Sequence, residues 1–164
     1  MSRIVPNEKS WVAFSTLIPA NIQSPSLATN INAVSTKDLT CFTISITATA
    51  TGNTVPTPSI CSLFETNIPG TSAAQFTADF YRDDGASNDI AWDNLIRGVS
   101  GVFYISRFGG KGVAGKPIVG DKIEVWPVII TSRAASALAS NTAQTFNCAC
   151  AVTQVPAESA VVAA

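Results

Sequence analysis

The 164-residue sequence contains no histidine, and this absence excludes the commonest catalytic chemistry. Histidine is the usual general base, proton shuttle and zinc ligand near neutral pH. Ser-His-Asp and Cys-His nucleophiles and His-containing zinc sites are therefore excluded. Only chemistry based on paired carboxylates or on lysine remains open to an enzyme. We predict that the chain is not an enzyme and uses no cofactor.

Charged residues are also scarce, at 13% of the chain, against about 25% in an average globular protein. Lysine and arginine number 10, and aspartate and glutamate number 11. The chain therefore has no excess of positive charge with which to bind nucleic acid. The mean hydropathy of +0.28 is high for a soluble monomer with so little charge. We expect other copies of the chain to cover part of its surface.

No stretch of the sequence is apolar enough to span a membrane. The uncharged segment 39–64 is long enough, but it is rich in serine, threonine, asparagine and proline. A spanning helix needs about 20 predominantly apolar residues. We predict that this chain does not insert into a membrane.

Four cysteines lack the spacing of a zinc site: Cys41, Cys61, Cys148 and Cys150. The last two are separated by one residue rather than by two, and nothing near the first two completes a ligand set. Cysteine is among the most frequently buried residue types. We expect all four to be reduced and metal-free core residues of a protein made in a reducing compartment.

Alternation of apolar and polar residues predicts a protein built mainly from β-strands. Three segments alternate along most of their length: 41–50, 75–81 and 145–153. Segment 101–108 is apolar on both faces, which is typical of a strand covered on both sides. Segment 121–132 is the strongest strand, and Pro127 within it implies a bulge or a sheet edge.

The sequence also predicts one long loop and one short helix. Prolines and glycines in 51–72 exclude a central strand, so this stretch is predicted to be a long loop. Residues 87–97 predict a helix, since Trp92, Leu95 and Ile96 share a face at helical spacing. The predicted fold is mainly β: an antiparallel β-sandwich or barrel-like domain with one short flanking α-helix and long loops.

A glycine-rich stretch follows segment 101–108. Gly110, Gly112 and Gly115 match the pattern of a dinucleotide-binding loop. Lys116 and Pro117 come next, followed by another strand, so the helix that would hold the pyrophosphate is missing. The stretch is therefore predicted to be a turn between two strands.

Charge is distributed unevenly despite the balanced total. Residues 79–93 carry five aspartates against one arginine, and residues 97–133 carry six cations against two acids, so the segments have net charges of −4 and +4. Such segments suit head-to-tail contacts between copies in rings or fibres. The candidate inter-subunit contacts are Asp79, Asp83, Asp84, Asp89, Asp93, Arg107, Lys111 and Lys116. Pairing within one chain and a calcium site in the acidic segment stay open as alternatives.

Several short runs of sequence resemble one family of virion proteins. They are 3–7 (RIVPN), 11–14 (WVAF), 78–84 (ADFYRDD), 101–105 (GVFYI), 120–128 (GDKIEVWPV) and 144–146 (QTF). In this order they resemble the major tail proteins, or tail tube proteins, of long-tailed, non-contractile bacteriophages, especially those of actinobacterial hosts. None of the runs is a catalytic fingerprint, and their order along most of the chain carries the resemblance.

The resemblance implies a structural virion protein with a β-sandwich fold, whose rings of six stack into the phage tail tube. Its implied partners are other copies of itself, the tape-measure protein, and the tail terminator and tip proteins. DNA would pass through the lumen into the host without specific binding. The implied location is the virion tail, after assembly in the host cytoplasm. We expect a single domain over 1–164, with an N-terminal arm at 1–10 and a flexible C-terminal tail at 156–164.

Two other classes of function stay open. A β-sandwich module of a virion that binds carbohydrate or protein, or decorates the particle, would show exposed aromatic residues clustered on one face. A hydrolase would need two carboxylates that converge in an apolar pocket.

Overall fold

The computed structural model describes residues 10–57, 66–83 and 89–164, so most of the expected N-terminal arm lies outside it. These ranges contain eight β-strands and one short α-helix. Their bounds are β1 (Trp11–Ser15), β2 (Thr36–Asp38), β3 (Thr43–Thr57), β4 (Thr66–Tyr81), α1 (Ile90–Asn94), β5 (Ser100–Ser106), β6 (Lys122–Ala135), β7 (Thr145–Val152) and β8 (Ala157–Val161). The predicted fold class, mainly antiparallel β with a short helix, is confirmed.

The strands form one open antiparallel sheet. Its order is β2-β1-β5-β6-β7-β4-β3, and β8 pairs with β6. β6 changes partners along its length, because its start pairs with β8 and its second half with β7. Pro127 lies at this change, where the Thr153 N–H donates to its carbonyl at 3.0 Å. A proline, which has no N–H to donate, costs little at such a junction. Register shifts on both sides of it agree with the predicted irregularity.

The sheet folds over on itself, so that strands distant in the sheet order touch. Phe76 on β4 stacks on Phe103 on β5 with ring centroids 4.6 Å apart, although two strands separate β4 from β5. In a flat sheet these strands would be roughly 14 Å apart. Phe14 on β1 and Phe80 on β4 also contact Phe103. The result is a sandwich-like arrangement around a first core, which α1 covers with Ala91.

The central strands are buried on both faces. In β5, Phe103 and Ile105 enter the first core, and Val102 and Tyr104 enter a second core on the opposite face. β8 supplies part of the cover over the second core. The prediction of a strand covered on both sides is therefore confirmed for residues 101–106, whereas Arg107 and Phe108 follow the strand and are exposed.

The C-terminal segment, predicted to be a flexible tail over 156–164, is instead an integral strand. β8 pairs with β6, and Ala157 and Ala160 are buried in the second core. The Leu27 N–H donates to the carbonyl of Ala163 at 2.8 Å, which ties the end of the chain to an earlier turn. The small side chains of this segment predict no anchoring, yet they allow β8 to lie close against the second core.

The stretch predicted to be a long loop over 51–72 is instead part of a two-stranded ribbon. β3 and β4 pair from their inner ends to Thr57 and Thr66. Pro56 and Pro69 are accommodated because each ribbon strand has one unpaired edge, where a missing N–H breaks no ladder bond. The prolines exclude a central strand, as expected, but they do not exclude a ribbon. Residues 58–65 lie outside the described residues.

The helix is shorter than the predicted 87–97. α1 has five residues, and residues 84–88 lie outside the described residues. Leu95 is buried as predicted, but Ile96 is 48% exposed because the helix ends before it. Gly98, with φ of +87°, turns the chain into β5, a conformation that glycine adopts without strain.

Candidate assembly surfaces

Asp79 lies on the exposed face of β4 and is held by two neighbours within the chain. Asn147 Nδ2 donates to one carboxylate oxygen at 2.8 Å, and Ser45 Oγ donates to the other at 2.7 Å. These hydrogen bonds, chiefly the one from Asn147, hold the pKa of Asp79 below its ordinary value. The side chain therefore stays ionised at neutral pH.

Asp89 is buried and helps to attach α1 to the sheet. Its carboxylate accepts a hydrogen bond from Arg82 Nε at 2.9 Å. The Arg82 guanidinium lies 4.0 Å from the centroid of the Trp92 ring, and that of Arg133 lies 3.6 Å from it. Trp92 also meets Phe146 edge-on, with centroids 5.1 Å apart. This cluster fixes α1 against the ends of β4 and β6 and leaves Asp89 little freedom to contact another copy.

The predicted basic contacts are also partly engaged within the chain. Arg107 forms a bidentate ion pair with Glu124, with Nη2 3.0 Å from Oε2, and this hydrogen bonding raises the pKa of Arg107. Lys111 Nζ lies 3.8 Å from Asp121 Oδ1. Because the Lys111 side chain is exposed, this pair contributes little stability. Lys116 is half-buried.

At least five of the eight predicted contact residues already interact within their own chain: Asp79, Asp83, Asp89, Arg107 and Lys111. Asp83 and Asp93 are exposed, and Asp84 lies outside the described residues. Pairing within one chain, the alternative to contacts between copies, is therefore observed for some of the eight residues. A contact between copies through these residues stays a prediction.

The glycine-rich connection between β5 and β6 is organised by one buried carboxylate. Asp121, which is 8% exposed, accepts the N–H of Ile118 at 3.0 Å and that of Lys111 at 2.8 Å. The hydrogen bond from the Ile118 amide is the main reason why the pKa of Asp121 is lowered. This role is not predicted from the sequence, although an aspartate directly after Gly120 is typical of a turn.

Glycines let the same connection close tightly. The Gly110 N–H donates to the Gly115 carbonyl at 2.6 Å, and the Gly112 N–H donates to the Lys116 carbonyl at 2.9 Å. A Cβ atom on Gly110 would lie 2.3 Å from the Lys116 carbonyl oxygen, which is closer than real contacts allow. The stretch is thus the predicted turn between strands, and β6 rather than an α-helix follows it.

The strands β3, β4, β7 and the second half of β6 present an exposed face with almost no charge. Residues that pair directly across neighbouring strands share a face. Three rows cross it: Ser45–Asp79–Asn147–Ala134, Thr47–Thr77–Ala149–Ser132 and Thr49–Gln75–Ala151–Ile129. Asp79 is the single charged residue among these twelve positions. At these positions the face is built from short, mostly polar side chains and contains no lysine or arginine.

Three strands have one neighbour each: β2 and β3 at the two ends of the sheet, and β8, which pairs with β6. In addition, β3 and β4 run beyond the rest of the sheet, since β7 pairs only with residues 75–81 of β4. In the protruding ribbon, Val55 and Ile68 are exposed opposite each other. An isolated two-stranded ribbon is marginally stable in water, and unpaired edges are templates for another chain.

A groove of about 910 Å³ lies between β1 and the start of β3. Its apolar lining includes Val12, Phe42 and Ile105. Ile44 is one of the apolar positions whose alternation in segment 41–50 indicates a buried face, but it lines this groove and is exposed at a register shift in β3. Asp38 is the only carboxylate among the described lining residues. The groove therefore lacks the two converging acids that a hydrolase would need.

The cysteines occupy two kinds of environment. Cys148 and Cys150 are buried on the core face of β7, as predicted, with their sulfur atoms 3.7 Å apart. Cys41 is exposed, contrary to the expectation, and Cys61 lies outside the described residues. No three cysteine, aspartate or glutamate side chains lie close enough to hold a metal ion in the described part of the chain. Within the same ranges, no helix is long and apolar enough to cross a membrane.

A family model described as phage tail tube protein matches residues 3–164. The chain belongs to the phage tail tube protein family. A tail tube protein is a structural component of the virion tail and not an enzyme, so both predictions are confirmed. None of the curated proteins matches this tail tube protein. The finer resemblance, to phages of actinobacterial hosts, stays a prediction.

Solved structures with the same fold come from tail-related particles. A chain of the virion of a native gene transfer agent particle is 13% identical, with a TM-score of 0.55 over 93% of this tail tube protein and 96% of that chain. A chain of the tail of an empty gene transfer agent particle with C6 symmetry is 14% identical, with a TM-score of 0.51 over 74% and 84% of the two chains. A chain of the sixfold-symmetrised anti-feeding prophage baseplate is 8% identical, with a TM-score of 0.54 over 94% and 95%. At these identities the likeness shows the fold alone.

Proposed function

We propose that this tail tube protein forms rings of six that stack into a tube, through which DNA passes into the host. The observation that carries the proposal is the exposed face of β3, β4, β7 and β6, which has no lysine or arginine at its twelve paired positions. DNA binds more tightly as more cations neutralise its phosphates. A lumen lined by this face would let DNA slide, and the ionised Asp79 would repel phosphates further.

Sixfold rings are supported by the particles in which the same fold occurs. The gene transfer agent tail has C6 symmetry, and the anti-feeding prophage baseplate is sixfold-symmetrised. A closed ring needs a heterologous contact, in which two different surfaces of the chain meet. The free edges of β2 and β3, at opposite ends of the sheet, supply two such surfaces.

Edge pairing between neighbouring copies would satisfy the backbone groups that β2 and β3 leave unpaired. The protruding β3–β4 ribbon supports the same proposal, since its exposed Val55 and Ile68 gain burial when another copy covers them. We propose that residues 1–164 form a single domain within each ring. The tape-measure protein inside the tube and the terminator and tip proteins at its ends are the further partners.

A charged contact between copies is a second part of the proposal. Opposite charges at the end of β4 and α1 and on the glycine-rich connection would set register more than affinity. Reversing Asp83 and Asp84 to lysine should impair assembly, and additional reversal of Lys111 and Lys116 to glutamate should partly restore it. Added salt should slow wild-type assembly. Normal assembly of the double reversal in low salt would refute this contact and leave the tube proposal intact.

A binding or decoration module is less well supported. Such a module needs clustered exposed aromatic side chains, whereas the aromatic residues exposed in the described part of the chain are Phe108 and Tyr81, on different elements. Negative-stain microscopy of the purified protein at high concentration tests the two functions directly. Tubes or rings support the tail tube. A monodisperse monomer by light scattering, also after addition of the tape-measure protein, refutes it.

A further inference from the structure

Residues 107–121, here named the β5–β6 loop, are cross-linked by hydrogen bonds within the chain. The Asp121 carboxylate and the glycine amides hold the loop across its width. Ala114 and Gly115 take left-handed φ values of 54° and 74°, which such tight closure requires. A contact surface that is already ordered loses less conformational entropy on binding. The loop is therefore suited to present side chains in fixed positions.

The β5–β6 loop exposes large apolar side chains. They are Phe108, Val113, Ile118 and Val119. Phe108 is 70% exposed and Val113 is 91% exposed. Single exposed apolar residues are normal, but four on one loop of fifteen residues indicate an interaction surface. Phe108 also lines the groove, so the apolar surface continues from the loop into it.

The charges beside these side chains indicate the kind of surface that the loop fits. Lys111 is exposed at its tip, and Lys116 is half-buried beside it. A complementary surface exists on the same chain at α1, where Asp93 and Ile96 are exposed. Because Arg82 stacks on Trp92, the end of β4 with its exposed Asp83 also lies beside α1. We name Asp83, Asp93 and Ile96 the α1 patch.

We propose that, in the assembled tube, the β5–β6 loop of one copy docks on the α1 patch of a neighbouring copy, with Val113 as its apolar anchor. The inference rests on the proposed function, because it requires assembly. The two surfaces differ, so the contact is heterologous and can repeat around a ring. Apolar burial supplies the affinity, since exposed ion pairs contribute little on their own. The lysines and aspartates select the partner surface.

Photo-crosslinking in assembled tubes tests which surfaces meet. A photo-crosslinking amino acid replaces Val113 in the full-length chain, and this chain is mixed with isotopically labelled wild-type copies before assembly. The expected product joins position 113 to a peptide from 89–97 or 82–83 of a labelled copy. Crosslinks that stay within one copy, or that reach other segments of the labelled copy, overturn the proposal.

A matched pair of substitutions tests the energetic role of the anchor. Val113→Asp should raise the protein concentration needed for tube formation by about tenfold or more, which corresponds to losing the burial of one valine. Val155→Asp is the control, since this valine is 75% exposed and lies between β7 and β8, outside β2, β3 and both proposed contact surfaces. It should change that concentration by less than about twofold. Circular dichroism checks that both variants fold.

The outcomes separate this inference from the proposed function. Wild-type tubes together with equal behaviour of the two variants overturn the docking contact and leave the tube intact. A wild-type protein that never assembles overturns both the docking contact and the tail tube proposal. Wild-type tubes, a selective defect in Val113→Asp and a crosslink to the α1 patch support the contact.

Discussion

Replacing Asp121 with alanine should loosen the β5–β6 loop and lower stability by a predictable amount. The carboxylate is buried and accepts two backbone N–H groups, at 2.8 and 3.0 Å. A hydrogen bond to a charged group contributes about 1.5–3 kcal/mol, but the opened loop regains some bonds to water, so we expect a loss of about 2–3 kcal/mol. For a domain of this size, the melting temperature should fall by roughly 4–10 °C.

Urea denaturation of wild type and Asp121→Ala measures this loss, and hydrogen exchange localises it. The amides of Lys111 and Ile118 should lose protection first, because they are the donors to Asp121. Asp93→Ala is the control: this aspartate is exposed, and its replacement should change stability by less than about 0.5 kcal/mol. The reasoning is refuted if Asp121→Ala behaves like the control, or if both amides exchange as slowly as in wild type.

The contribution of Asp121 should depend on pH in one direction. Folding lowers the pKa of its carboxyl, mainly through the Ile118 amide, so the ionised form stabilises the folded state. That contribution is complete above the ordinary value of 3.8 and is lost as the pH falls through the lower value of the folded state. The stability difference between wild type and Asp121→Ala should therefore be constant near neutral pH and shrink in acid. A difference that grows in acid would contradict the account.

Three further outcomes are expected. Tyr104→Phe should leave the unfolding free energy unchanged or raise it by about 1 kcal/mol, because the buried hydroxyl has no hydrogen-bond partner among the described residues; a clear loss in urea denaturation would contradict this. Trp92→Ala should cost about 3 kcal/mol and Trp92→Phe less than half of that, since phenylalanine keeps a ring between two guanidinium groups. All four cysteines should be reduced and metal-free in the native particle; a disulfide in non-reducing mass spectrometry or stoichiometric zinc would show otherwise.

Alternation predicts the strands whose apolar residues are buried. Phe76 and Phe80 on β4, and Phe146, Cys148 and Cys150 on β7, all lie in the first core as their spacing indicates. The pattern is reliable here because each strand has at least one face that must leave water. Alternation does not predict where a strand ends when both of its faces are exposed, as in the β3–β4 ribbon.

The elements that the sequence analysis misplaces are those held by the rest of the fold. β8 is built from small residues whose burial depends on β6 and the second core, so no local pattern marks it. Ile44 is exposed at a register shift, which alternation alone does not reveal. Pro56 and Pro69 are compatible with the β3–β4 ribbon because each of its two strands has an unpaired edge.

The partners of the charged residues depend on strand register in the same way. Arg107 meets Glu124 because Ile105 pairs with Glu124 across β5 and β6, which places Arg107 on the diagonal. The Arg107–Glu124 ion pair can be predicted once the strand register is known. The net charge of the segments alone is equally compatible with a partner on a neighbouring copy. Asp89, at the start of α1, is buried where Arg82 contacts both it and Trp92, and Arg82 and Trp92 are ten positions apart in the sequence.

Cryo-electron microscopy of tubes formed by the purified full-length protein tests the central claim most directly. The account predicts rings of six copies whose lumen is lined by the face that carries Thr47, Thr77 and Asp79. A lumen lined instead by another surface, or a protein that stays monomeric at high concentration with the tape-measure protein present, would contradict it.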